Sequence, residues 1–274
     1  THHHLYQTLT RVRATDQGLF GWLKALYPVW AGLDEEWVRA AARVGLAELA
    51  LSGCSTTTDH HYIFPTGRVG LLEAEIEAAR EIGLRFHPCR GSMDLGESNG
   101  GLPPDSIVQE TDVILTQTEE AVRRFHDPRP GSMLQIAVAP CSPFSVTERL
   151  MRESAALARR MGVRLHTHLA ETHDEEEYCL KTYGRRPTEL LQDLGWFGAD
   201  VWLAHCVHLQ LRDIQAIAGS ASGVAWCPTS NLRTGSGVAP VRALLNAGAH
   251  VGLGVDGTAS NDGSNLLAEA RMGM

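Results

Sequence analysis

The chain contains 274 residues, of which 43% are hydrophobic and 20% are charged, and its net charge is -8. This balance excludes an intrinsically disordered chain and a collagen-like repeat, and it provides enough apolar material for a large core. No run approaches the roughly 18 apolar residues that a membrane-spanning helix needs, and no basic cluster offers a surface for nucleic acid. We therefore expect neither a membrane nor a nucleic-acid partner, but a small-molecule ligand.

Six cysteines are scattered along the chain without a CxxC pair. This spacing excludes a zinc ribbon and is typical of reduced thiols, so we expect a cytoplasmic protein. The first residue is not methionine, and the residues from Asn265 onward resemble the start of a helix. We therefore expect residues 1–274 to form one domain of a longer chain; the alternative for the three histidines at 2–4 is the remnant of an expression tag.

Short apolar runs alternate with amphipathic stretches, which is the pattern of repeated βα units. In chain order, the predicted strands are 54–58, 84–89, 134–139, 163–168, 201–205, 223–227 and 251–255. The predicted helices are 34–53, 70–82, 118–125, 147–161, 212–218 and 241–247. A long loop is expected at 16–33, and an eighth strand that ends at 2–4 completes the set.

Eight parallel strands with intervening helices predict a closed (β/α)8 barrel. An open doubly wound sheet is the alternative, but no glycine-rich phosphate loop opens any βα turn. In a barrel, the loops at the carboxyl ends of the strands form the rim of the active site. The aromatic residues of the 16–33 loop then stack on a flat ligand, cap the barrel or contact a second subunit.

Histidines and a carboxylate fall at the carboxyl ends of several predicted strands. His2 and His4 are two residues apart and so share one face of a strand, while His168 and Asp256 end two other strands. Neutral imidazoles with a carboxylate form a site for a divalent ion of the zinc or iron type. Only two lysines occur and neither ends a strand, so a carboxylated lysine cannot bridge two ions. We expect one ion, zinc before iron, in a site of three imidazoles and one carboxylate from these strand ends.

Two further titratable residues lie beside these ligands. Glu171 follows His168 by three residues, and His205 ends another predicted strand. Both share the predicted barrel rim with the ion and so are candidates for acid–base catalysis. The alternative for Glu171 is an exposed position at a helix start, since the acidic residues at 174–177 predict a solvated turn.

Five motifs occur in the order and spacing of one enzyme superfamily: THHHL at 1–5, HTHLAET at 166–172, LAHC at 203–206, CPTSN at 227–231 and GVDG at 254–257. Across essentially all 274 residues the chain resembles the amidohydrolase superfamily, in its mononuclear-metal deaminase and chlorohydrolase branch. The resemblance implies a (β/α)8 barrel truncated at both ends, because the flanking β-sandwich of the family is missing. It also implies that the metal ligands are His2, His4, His168 and Asp256, and that the catalytic residues are Glu171, His205 and Asp256.

Loop sequences outside these motifs, such as YQTLTR at 6–11 and GESNGGLPPD at 96–105, resemble 8-oxoguanine deaminases and hydroxyatrazine-hydrolysing enzymes. The resemblance implies an aminohydrolase, a hydrolase of C–N bonds in cyclic amidines. In the implied reaction, metal-bound hydroxide converts the purine 8-oxoguanine to urate and ammonia. Gln7, Trp30 and Cys141 are implied as substrate contacts. Trp226 departs from the pattern, because many relatives carry histidine or asparagine there.

The substrate alternatives within this branch are guanine, an adenosine derivative and a hydroxyatrazine-type triazine that loses an amine or chloride. A barrel that binds its ligand without catalysis is the alternative from another class. Such a protein has no physical need to keep six costly polar groups together at one rim. We further expect the protein to be a homo-oligomer.

Overall fold

The computed structural model describes all 274 residues. Seven parallel strands form one sheet in which each strand pairs with the next along the chain. The strands are β1 Thr56–His61, β2 Arg85–Ser92, β3 Ala137–Pro140, β4 Arg164–Leu169, β5 Val201–His205, β6 Gly223–Trp226 and β7 His250–Leu253. This order is that of repeated right-handed βα units.

The connections between strands are largely helical. The helices are α1 Leu19–Trp30, α2 Glu35–Leu51, α3 Leu71–Ile82, α4 Thr111–Phe125, α5 Glu148–Met161, α6 His173–Tyr183, α7 Pro187–Asp193, α8 Leu211–Gly219, α9 Pro228–Arg233, α10 Val241–Asn246, α11 Thr258–Asn261 and α12 Leu266–Met272. Asp34 and Thr147 cap α2 and α5 by accepting from backbone N–H groups three residues on. Gly83 ends α3 at φ +84°, where a left-handed backbone favours glycine. None of these helices has both the length and the apolar character to cross a membrane.

The first residues of the chain close the gap between β7 and β1. The N–H of Asp256 donates to the carbonyl of His2 at 3.1 Å, and the N–H of His60 donates to the carbonyl of His3 at 2.7 Å. The segment thus bonds to both edges of the sheet, as a strand of a closed barrel does. The fold is a truncated (β/α)8 barrel; its predicted eighth strand is present only as this short segment, so the structure has seven regular strands.

The loop predicted at 16–33 is wrong, because Leu19–Trp30 form helix α1. Glycines and Pro28 favour a loop in the sequence. Pro28 lies in the last turn of α1, however, and Leu23 and Leu26 are buried. Packing of this apolar face outweighs the weak local preference, as tertiary contacts often do.

The strand predicted at 54–58 begins and ends later, at Thr56–His61. Its last three residues, Asp59, His60 and His61, are polar but fully buried. In the register, His60 pairs with Cys89 of β2, and Cys89 pairs with Ala137 of β3. These small neighbours leave room for imidazole rings inside the barrel, while the main hydrophobic core lies between the sheet and the helices.

Candidate metal centre

Three imidazole rings meet at the carboxyl end of the barrel. His2 and His4 project inward from the closing segment, and His168 projects from β4. The Nε2 atoms of His4 and His168 are 3.1 Å apart, and Oδ1 of Asp256 lies 3.3 Å from Nε2 of both His2 and His4. All four side chains are buried. The structure therefore brings the four predicted ligands to one point.

The outer nitrogen of each ring determines where its proton lies. Nδ1 of His4 is 2.7 Å from the carbonyl of His60, and Nδ1 of His168 is 2.7 Å from the carbonyl of Cys141. A carbonyl can only accept, so each Nδ1 carries the proton and each Nε2 carries a lone pair. The 3.1 Å contact between the two Nε2 atoms therefore joins two lone pairs and is not a hydrogen bond.

His2 also has its proton on Nδ1, because a second histidine accepts a hydrogen bond from that atom. Nδ1 of His166 donates to the carbonyl of Trp202 at 2.8 Å, so its Nε2 accepts from Nδ1 of His2, also at 2.8 Å. Nε2 of His2 is then left with a lone pair and has no hydrogen-bond partner. Three buried lone pairs and one carboxylate oxygen face the same point.

This donor set fits a divalent cation. Burial lowers the pKa of His2, His4 and His168, so the rings are neutral at pH 7 and available as ligands. Converging buried lone pairs repel one another unless a cation lies between them. Three imidazole nitrogens and one carboxylate oxygen are ligands that zinc accepts, and the fixed Nδ1 hydrogen bonds orient the rings as in known zinc sites.

Two carboxyl groups at the site have opposite pKa shifts. Burial raises the pKa of Glu171 well above its ordinary value, and the charges of Asp256 and Glu175 add to the rise. Burial raises the pKa of Asp256, but the contacts of the carboxyl group with His2 and the neighbouring histidines outweigh burial and bring its pKa well below the ordinary value. One protonated and one ionised carboxyl group are the arrangement that acid–base catalysis requires.

Glu175 holds the loop that carries Glu171. Its two carboxylate oxygens accept from the N–H groups of Ala170 and Glu171 at 2.9 and 2.8 Å. Glu175 is fully buried, so the solvated turn predicted at 174–177 is wrong for this residue. The available signal was its spacing, four residues after Glu171 and in the first turn of α6.

His205 ends β5 and faces Glu171. The side-chain amide of Asn231 donates to Nδ1 of His205 at 3.0 Å, so the ring proton lies on Nε2. That Nε2 is 3.5 Å from Oε2 of Glu171. Asn231 belongs to the CPTSN motif, but sequence reasoning assigned it no role. Ser230 of the same motif donates to Oδ2 of Asp256 at 2.6 Å and fixes that carboxylate.

Strained backbone is concentrated at this end of the barrel. Ala170, His205 and Asp256 have φ angles of +50°, +72° and +59°. Non-glycine residues in this region cost about 1–3 kcal/mol each and persist where the surrounding structure holds them. The strain turns three strand ends sharply, so that the side chains of His205 and Asp256 reach the site.

A cavity opens beside the donor atoms of His4, His168 and Asp256. Its lining includes Gln7 and Cys141, two of the predicted substrate contacts. The other lining residues are His4, Leu19, Trp22, Leu23, Tyr27, Tyr62, Ser142, Phe144, His168, Glu171, His205, Ser230, Thr234, Asp256 and Ser260.

Trp30, the third predicted substrate contact, lies behind this cavity. It is fully buried, and its indole N–H donates to Oγ1 of Thr10 at 3.1 Å. Trp22 of the same helix lines the cavity instead. Trp226 does not line the cavity either. Its ring packs against Gly273 so closely that a Cβ atom at this position would clash with it.

The model of the amidohydrolase family matches residues 1–274. The chain belongs to the amidohydrolase family. Members of this family depend on metal ions, in agreement with the donor set described above. The predicted family is thereby confirmed.

Several amidohydrolases resemble the chain over nearly its whole length. It is 51% identical to the 8-oxoguanine deaminase of Pseudomonas aeruginosa, over 100% of this chain and 62% of the relative. It is 41% identical to the hydroxydechloroatrazine ethylaminohydrolase of a Pseudomonas species, over 99% of this chain and 57% of the relative. The chain thus spans about three fifths of the length of these relatives.

A solved amidohydrolase has the same fold. The crystal structure of the atrazine chlorohydrolase TrzN from Arthrobacter aurescens, complexed with zinc, superimposes with a TM-score of 0.94 at 35% identity. The likeness covers 99% of this chain and 62% of that one. The barrel is therefore the shared part of the two proteins.

Proposed function

We propose that this chain carries the catalytic centre of a metal-dependent aminohydrolase that converts 8-oxoguanine to urate and ammonia. The observation that carries the hydrolytic part is the convergence of three unprotonated Nε2 atoms and the carboxylate of Asp256 beside a cavity. The substrate is supported by the 51% identity to an 8-oxoguanine deaminase. In this proposal residues 1–274 act as one barrel domain that contains the whole centre.

In this proposal one divalent ion, zinc before iron, is held by His2, His4, His168 and Asp256. A single ion is supported by the positions of Lys24 and Lys181, which are both exposed and away from the strand ends. When bound, such an ion lowers the pKa of water in contact with it toward about 7, so that hydroxide forms at neutral pH.

The residues around the cavity divide the proton transfers. Asp256 is ionised and accepts a proton from the attacking water, while the N–H of His205 orients that water. Glu171 is protonated and donates to the ring nitrogen beside C2, so negative charge does not build up on the ring. The water oxygen bonds to C2, the bond to the exocyclic amine breaks, and the proton on Asp256 leaves with ammonia. The proton that remains on the new C2 hydroxyl returns to Glu171, which restores its protonated form and leaves the C2 carbonyl of the product.

Gln7 and Cys141 are proposed as substrate contacts because both line the cavity. Trp30 does not line the cavity, and we propose that it supports the substrate site indirectly, because its ring packs against that of Trp22 with 5.3 Å between centroids. We also propose a cytoplasmic, homo-oligomeric enzyme. The reducing compartment is supported by six cysteines that are all free and buried. Sedimentation of the protein tests the oligomeric state.

Ammonia release from a panel of substrates tests the proposal. The zinc-loaded protein is assayed with 8-oxoguanine, guanine, an adenosine derivative and a hydroxyatrazine-type triazine. We expect kcat/KM to be at least about tenfold higher for 8-oxoguanine than for any other compound, a difference of about 1.4 kcal/mol in transition-state binding. Faster turnover of the triazine would favour the second candidate, supported by the 41% identity to a hydroxydechloroatrazine ethylaminohydrolase.

A further inference from the structure

A second group of titratable side chains lies outside the barrel, behind β1. Asp59 and His61 of β1 face Glu75 of α3, and all three are fully buried. One donor atom from each residue lies within 4.8 Å of the others. Oδ2 of Asp59 and Oε2 of Glu75 have no hydrogen-bond partner. Two buried carboxyl groups with free oxygens are costly unless protons or a cation join them.

The distances favour protons over a cation. Nε2 of His61 lies 2.9 Å from the carbonyl of Ile63 and must donate to it, which leaves Nδ1 to face Oε1 of Glu75 at 2.7 Å. Two ligands of a tetrahedral zinc ion, each about 2.1 Å from it, would lie about 3.4 Å apart. A separation of 2.7 Å is that of a hydrogen bond, so a proton lies between the two atoms.

We propose that protons join Asp59, Glu75 and His61 into one hydrogen-bonded chain that positions the ligand His4 from behind. At one end of this buried chain, the N–H of Leu5 donates to Oδ1 of Asp59 at 2.6 Å. Leu5 directly follows His4, so the carboxyl group of Asp59 holds the backbone from which the ligand projects. Asp59, Glu75 and His61 are therefore positioning residues, because none of them lines the cavity.

The same stretch of β1 holds His4 a second time. The carbonyl of His60, between Asp59 and His61, accepts from Nδ1 of His4 at 2.7 Å. The buried chain thus sets the place of β1 against α3, and β1 sets both the backbone and the ring of His4. Burial raises the pKa of Glu75 to about 8, which agrees with a protonated carboxyl group at neutral pH.

Substitutions at Glu75 test this role. Glu75→Leu interrupts the buried chain, whereas Glu75→Gln keeps it, because the amide can donate to His61 and accept from Asp59. Ile217→Ala, a buried truncation in α8, is the control for a general loss of stability. Zinc affinity of the folded proteins is measured by competition with a chelator. Hydrogen exchange at the amide of Leu5 is measured in the metal-free proteins.

We expect Glu75→Leu to weaken zinc binding by about 10- to 100-fold, as loss of supporting residues does at other metal sites, and to speed exchange at Leu5. The zinc affinities of Glu75→Gln and Ile217→Ala should stay within about threefold of that of the parent protein. Unchanged affinity in Glu75→Leu, or an equal loss in Ile217→Ala, would overturn the inference. If Glu75→Leu does not fold, Asp59→Ala replaces it in the test. A tenfold loss of zinc affinity in Glu75→Gln would also contradict the positioning role.

The inference rests on the proposed metal centre, but the two can fail separately. A parent protein that binds no zinc would contradict the metal centre itself. A parent that binds zinc, with variants that bind it equally well, would contradict only the positioning role. Neither outcome depends on which substrate the protein turns over.

Discussion

His4 and His61 lie on the inner and outer sides of the barrel wall, and both are completely buried histidines with lowered pKa values. They differ in what their second nitrogen meets. Both nitrogens of His61 have protein partners, Glu75 and the carbonyl of Ile63. Nε2 of His4 meets only the lone pair of His168 and the carboxylate of Asp256. The convergence of unprotonated nitrogens and a carboxylate, rather than burial or pKa, distinguishes His4 as a metal ligand.

The largest effect is expected when one of the metal ligands inside the barrel is removed. His168→Ala removes one of three donors, so we expect the protein to retain little zinc and turnover to fall by more than about a thousandfold, since the pKa of water then returns toward about 15.7. Zinc content by mass spectrometry and ammonia release measure both effects. The control is His250→Gln, an exposed change at the start of β7, which should keep its zinc. Full zinc occupancy in His168→Ala would contradict the ligand assignment.

The next largest effect is expected at Glu171. Glu171→Gln keeps the size of the side chain but cannot transfer a proton, so we expect kcat to fall by about 10²- to 10⁴-fold with zinc content unchanged. Glu177→Gln, an exposed change in the same acidic stretch, should leave kcat at the parental value. A Glu171→Gln variant with parental turnover would rule out the proton-donor role.

Sequence alone predicted the order of the strands, because apolar runs define the strands and parallel strands bring their carboxyl ends to one rim. The set of proposed ligands came from the family resemblance, and the structure brings their side chains together. The predicted strand 201–205 matches β5. Helix α1 was missed because its glycines and Pro28 contradict its buried face.

The supporting residues were harder to predict for a different reason. Glu175 lies among exposed acidic residues, and only the fold turns its side chain inward to the amides of Ala170 and Glu171. Asn231 and Glu75 depend in the same way on partners far away in the chain. Hydrogen-bond partners across elements carry no periodic signal in the sequence, so such residues emerge only from the structure.

Two tryptophans of α1 sharpen the comparison between cavity-facing and rear positions. Trp22 lines the cavity, whereas Trp30 is packed behind it. We expect Trp22→Leu to raise KM by about tenfold, a loss of about 1.4 kcal/mol of binding. Trp30→Leu should instead lower the free energy of unfolding by about 2–4 kcal/mol and leave KM near the parental value. Steady-state kinetics and urea unfolding separate the two, and a raised KM in Trp30→Leu alone would establish Trp30 as the substrate contact.

The last expected effects are two pH dependences of opposite sign. Burial lowers the pKa of His87 to about 4 from 6.5, so between these values the unfolded chain binds a proton that the folded protein does not. Stability therefore falls as the pH is lowered through this window. Burial raises the pKa of Glu75 to about 8 from 4.5, so the unfolded chain releases a proton that the folded protein keeps, and stability falls as the pH is raised from 4.5 toward 8.

Each group contributes at most about 1.4 kcal/mol per pH unit to the free energy of unfolding. Urea unfolding between pH 4.5 and 8 therefore distinguishes the two sides of the profile. His87→Gln should reduce the loss of stability on the acid side only, and Glu75→Gln should reduce the loss toward pH 8 only. If Glu75→Gln does not change the loss of stability toward pH 8, Glu75 is ionised in the folded protein. The buried chain of Asp59, His61 and Glu75 then holds fewer protons than its hydrogen-bond geometry requires. Another donor must satisfy the free carboxylate oxygens of Asp59 and Glu75.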